Sequence, residues 1–128
     1  MTNPMTADEQ QAIVQLSAEE RFEYFLEQAV ATGCVWTLRG DDGGVLMSAE
    51  GKECMPVWPS EAFAAIWAMD DWADCAPFMI DLDAWMQRWL PGMQTDGLSV
   101  VVFPDDAEEG LVLRPKELKK AMQETQQG

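Results

Sequence analysis

A chain of 128 residues is the size of one domain, and at that length about two-thirds of the unfolded surface can be buried, so no disulfide or metal staple is required. Apolar residues make up 48%, six of them tryptophan, which excludes a disordered chain. Eight basic residues against 23 acidic ones leave a net charge of −15, which excludes direct nucleic-acid binding because phosphate contacts need a basic footprint.

Residues 1–16 read as an N-terminal extension carrying a short helix around Ala7 to Leu16, and residues 17–128 as the domain. Ser17-Ala18-Glu19-Glu20 is a capping box, with hydroxyl and carboxylate each satisfying the other residue's amide. A helix starts there. Phe22, Phe25, Leu26, Ala29 and Val30 form one apolar stripe, and Gly33 is placed to end the helix in a left-handed conformation. Cys34 to Arg39 is β-rich, stops at Gly40-Asp41-Asp42-Gly43-Gly44 and resumes at Val45-Leu46-Met47, the pattern of a hairpin. A turn at Glu50-Gly51-Lys52 leads to a third strand, Glu53 to Trp58, which Pro56 confines to a sheet edge or ends, because proline has no amide to donate.

Ser60 caps a helix from Glu61 to about Met69, broken by Asp70-Asp71-Trp72-Ala73-Asp74. A short extended piece, Ala76 to Ile80, leads to Asp81, a cap for a helix whose Leu82, Trp85, Met86, Trp89 and Leu90 share a face and which Pro91-Gly92 stops. Leu98 to Phe103 is nearly continuous in apolar residues and reads as the central strand, covered on both faces. After an acidic loop, Leu111 to Leu113 is a last strand and Pro115 opens a terminal helix. These elements predict a compact α+β domain: a mainly antiparallel sheet of about five strands, a β-meander plus a C-terminal strand pair, packed by three to four helices. Residues 111–128 carry +2, so −17 lies in the rest.

Histidine is absent, which removes Ser-His, Cys-His and His-metal chemistry together. No stretch is long and apolar enough for a membrane span, and Met1 to Ala12 has neither a basic nor an apolar segment, so a cytoplasmic location is expected, with no membrane partner. Cys34, Cys54 and Cys75 are too widely spaced for a zinc knuckle or redox dithiol and read as reduced, half-buried thiols.

Arg21-Phe22-Glu23-Tyr24-Phe25-Leu26, Val35-Trp36-Thr37-Leu38, Met55-Pro56-Val57-Trp58-Pro59, Trp89-Leu90-Pro91-Gly92, Asp96-Gly97 and Val100 to Pro104 occur in this order. Over about Ser17 to Leu118 the chain resembles the bacterial domain-of-unknown-function family 2750. The resemblance implies no activity, so no catalytic or binding residue is carried over from it. More loosely, the order of elements is similar to the N-terminal domain of SseB-type proteins, which implies a compact α+β domain with secretion-linked, non-enzymatic relatives.

Carboxylates are the only abundant reactive groups, so an enzyme or divalent-metal protein would centre on Asp70, Asp71, Asp74, Asp81 and Asp83. The calcium-loop pattern fails at Trp72 and again at Ala107, and no metal or cofactor is expected. Gly40 to Gly44 lacks the lysine and the helix of a phosphate cradle, and no serine lies in a nucleophile elbow. Trp85 and Trp89, four apart on one helical face, read as core. Trp58 and Trp72 sit at element ends, where half-exposed rings rimmed by Asp70, Asp71 and Asp74 would line a groove for a cationic peptide segment. The leading expectation is a non-enzymatic module that binds a basic protein partner; the alternatives are the carboxylate enzyme or metal protein and a small-molecule sensor with a tryptophan-lined groove.

Overall fold

The capping box forms as its spacing requires. In the computed structural model, which describes residues 11–13, 15–40, 43–44, 46–49, 51–67, 75–104 and 110–127, Ser17 Oγ accepts from the Glu20 amide at 3.1 Å and the Glu20 carboxylate accepts from the Ser17 amide at 3.3 Å. Helix α1 (Ala18–Thr32) follows and ends at Gly33, φ 76°. Of the expected N-terminal helix, residues 11–13 are helical.

Strand β1 (Cys34–Gly40) turns back into β2 (Gly43–Gly44), with Gly40 opposite Gly43. The hairpin is real but short, because β3 (Met47–Ala49) leaves β1 and pairs antiparallel with β4 (Lys52–Val57). The far side of β1 is taken by β5 (Ala76–Asp81), paired antiparallel from Cys34 opposite Asp81 to Arg39 opposite Ala76. Two small sheets result: β2-β1-β5, and β3-β4-β6-β7, where β6 is Ser99–Val102 and β7 is Leu111–Leu113. The α+β class is as expected, but two small sheets replace the one sheet of about five strands built from a meander and a C-terminal strand pair, and β4 runs parallel to β6. A parallel pair needs a long crossover, here through α2 (Glu61–Trp67), β5 and the helical run that follows it. Strand β6 is the interior strand expected, with all four residues buried.

The two sheets meet where Trp36 and Trp58 exchange backbone hydrogen bonds of 3.0 and 2.7 Å. This joint explains why Pro56 lies in an interior strand rather than at the sheet edge its missing amide predicts. The Val57 carbonyl accepts from the Phe103 amide, so Val57 faces the β6 side and Pro56, by alternation, faces away from it. On that side β3 has already ended opposite Cys54, and the Thr37 hydroxyl donates to the Pro56 carbonyl at 2.7 Å.

Residues 82–96 form one helical run: α3 (Leu82–Ala84), a π-helical segment (Trp85–Trp89) and α4 (Leu90–Asp96). Pro91 and Gly92 do not stop it. The Leu90 amide reaches back five residues to the Trp85 carbonyl, and this widened turn accommodates a proline that has no amide and would crowd a regular α-turn. The stop is Gly97, φ 74°. Asp81 holds the N-cap position, yet its side chain makes no capping bond; the Leu82 amide is tied to the Gly33 carbonyl at 2.9 Å instead. Helix α5 (Pro115–Gln127) closes the fold with Leu118 and Met122 buried. Phe25, Leu38, Val57, Trp85 and Val100 to Val102 are wholly buried. No described helix is long and apolar enough to cross a membrane.

Candidate functional site

Trp58 belongs to the core. It is 1% exposed, because its backbone continues β4 into the pairing with Trp36 and carries the ring inside the joint. The half-exposed placement expected for it is therefore corrected: the ring is buried. Trp72, Asp70, Asp71 and Asp74 lie outside the described residues. Asp81 and Asp83 are exposed and line a broad surface groove of about 650 Å³ with Gly33, Gln87 and Arg88. Among the described residues no three acidic or thiol side chains gather closely enough to hold a metal ion. None of the three cysteines is in a disulfide; Cys34 and Cys75 are half-buried and Cys54 is fully buried.

Helix α1 separates its charges by burial. Glu19, Glu23 and Glu27 are exposed and stand one turn apart on a single ridge, with Glu20 beside them. Arg21, the one basic residue of the helix, is only 3% exposed. Its Nε donates to the Phe103 carbonyl at 3.0 Å and a terminal nitrogen donates to the Leu16 carbonyl. Phe103 sits at φ 50°, a left-handed conformation that a bulky residue adopts only when its surroundings over-determine it. Here the Arg21 side chain holds its carbonyl and Val57 its amide. With its single cation turned inward, α1 itself presents glutamates and no exposed cation to solvent.

A second feature lies on the helical run. Trp85 is fully buried, and its Nε1–H has no acceptor among the described residues. Trp89, expected beside it in the core, is half-buried, because residues four apart no longer superpose within a π-helical turn. It lines an apolar groove of about 360 Å³ with Leu46, Met55, Met93 and Leu98, and Arg88, Gly92 and Asp96 complete the lining. Leu46 is 44% exposed. The Trp89 ring stands 6.3 Å from that of Phe78, over which the Arg39 guanidinium lies at 5.3 Å. A Cβ added to Gly92 would meet nothing within 4 Å. Sequence reasoning missed this groove; its signal was a Pro-Gly pair inside an apolar helical pattern, read as a stop.

The profile of the family described as "Protein of unknown function (DUF2750)" matches residues 22–122. That span is most of the chain. The chain belongs to the DUF2750 family. The matched part of this DUF2750 protein runs from the first turns of α1 into α5 and contains the whole Trp89 groove together with Glu23 and Glu27 of the ridge. The looser likeness to SseB-type proteins gains no support from the match. No match is found among curated proteins.

Proposed function

We propose that this DUF2750 protein is a non-enzymatic, cytoplasmic interaction module that binds a basic protein partner along α1. The observation that carries this reading is the ridge of Glu19, Glu23 and Glu27, with the helix's one cation buried beneath it. Like charges four apart on a helix cost about 0.2–0.5 kcal/mol per pair, and no exposed cation on α1 relieves them. Lysines or arginines of a partner would. The chain-wide charge of −15 and the absence of histidine support the same reading, the first by steering a basic partner and the second by removing the commonest general base.

Affinity capture from the native lysate, run at low and at high salt, tests it with wild-type protein and with a Glu19→Gln/Glu23→Gln/Glu27→Gln variant. The expected result is a stoichiometric basic partner held by the wild type at low salt, released at high salt, and lost by the variant. Capture of the same partner by both proteins would sink the assignment to α1, and the absence of any basic partner would sink the reading itself.

A further inference from the structure

The groove beside Trp89 has a property that a second copy of the same chain would use. Arg88, Gly92 and Asp96 are all exposed, all line that groove, and follow one another at intervals of four residues. Arg88 lies at the end of the π-helical segment and Asp96 at the end of α4, with Gly92 between them in the same groove lining, so a cation and an anion stand roughly 12 Å apart along the helix with a bare backbone between them. Such a stripe is complementary to itself. If α4 of one copy crosses α4 of another antiparallel, with the two-fold axis at Gly92, each Arg88 meets Asp96 of the partner subunit.

We propose that the α4 face is the interface of a two-fold symmetric homodimer of this chain. Charge complementarity selects this occupant, since each ion pair formed on one side of the axis is repeated on the other, as an isologous contact demands. Gly92 is the second argument. It lies inside a helix, where glycine is disfavoured by about 1 kcal/mol relative to alanine, and it is not needed for packing within the chain, because its Cβ direction is open space and its φ is not positive. Two glycines facing each other across an axis let helix backbones approach closely. Leu46, 44% exposed, and the half-buried Trp89 lie in the same groove and supply apolar surface to cover. The interface is separate from the acidic ridge of α1, so self-association and the binding of a basic partner are independent claims.

Charge exchange tests the register directly. In sedimentation velocity at physiological ionic strength, where a Debye length of about 8 Å screens the repulsion between two acidic copies, the wild type is expected to run as a dimer. Arg88→Asp alone and Asp96→Arg alone each turn both symmetric pairs into like-charge contacts and are expected to weaken association roughly 10–100-fold. An equimolar mixture of the two variants restores two opposite-charge pairs and is expected to give a heterodimer. That recovery also shows that both variants are folded. A wild-type chain that stays monomeric up to millimolar concentration would overturn the proposal, leaving the groove to a small ligand. Variants that dimerise as well as the wild type, or a mixture that fails to recover, would overturn it equally.

Discussion

The joint between the sheets and the open face of α4 both break local rules, and they differ in what compensates. At the joint, Pro56 sits in an interior strand, Phe103 adopts φ 50°, and Arg21 is buried, yet each departure has a partner inside the chain. Thr37 bonds the Pro56 carbonyl, while Arg21 and Val57 hold the two polar backbone groups of Phe103. On the α4 face, Gly92 stands inside a helix with open space in its Cβ direction, and Leu46, across the groove, leaves 44% of its surface exposed. A rule broken and compensated internally is part of the fold, whereas one left uncompensated on the surface points to something outside the chain.

The contrast is broken most severely at Trp58. Trp58→Ala empties a wholly buried site at the joint and is expected to cost about 3–5 kcal/mol in urea denaturation; a loss below 1 kcal/mol would mean that the ring is not core. Next comes Arg21→Leu, which strands the Phe103 and Leu16 carbonyls and is expected to cost about 2–4 kcal/mol by the same measurement. Gly110→Ala probes the joint's tightness. Its new methyl would stand 2.8 Å from the Val102 carbonyl oxygen and 2.9 Å from Val101 Cγ2, so a destabilisation of about 1–3 kcal/mol is expected. The smallest effect has the opposite sign: Gly92→Ala, measured at concentrations low enough to keep the chain monomeric, should stabilise the fold by about 0.5–1 kcal/mol. Together Gly110 and Gly92 sharpen the comparison, since the same substitution should harm the buried region and help the open one.

Features set by neighbouring residues were legible in the sequence. The Ser17–Glu20 capping box, Gly33 at the end of α1, the buried valines of β6 and Pro115 at the start of α5 each follow from a local pattern and were found where expected. What was not legible depends on residues distant in the chain. The parallel pairing of β4 with β6 joins strands more than 40 positions apart, and nothing in either strand alone specifies it. Pro56 misled because its missing amide identifies an unpaired side of a strand, and only the end of β3 and the approach of Thr37 reveal that such a side exists within the sheet. Arg21 reads as a surface cation until the Phe103 carbonyl is brought to it across the fold. For the groove, the helical spacing of apolar residues puts Trp89 on the face of Trp85 and so in the core, but the π-helical turn that half-exposes it has no periodic signature.

Sedimentation equilibrium of a Gly92→Gln variant beside the wild type tests most directly whether the uncompensated face of α4 serves a second chain. Glutamine is a good helix former and adds bulk at the two-fold axis without adding an apolar patch. A folded Gly92→Gln chain that is monomeric where the wild type is dimeric is the expected result. Equal association by the two proteins would contradict it.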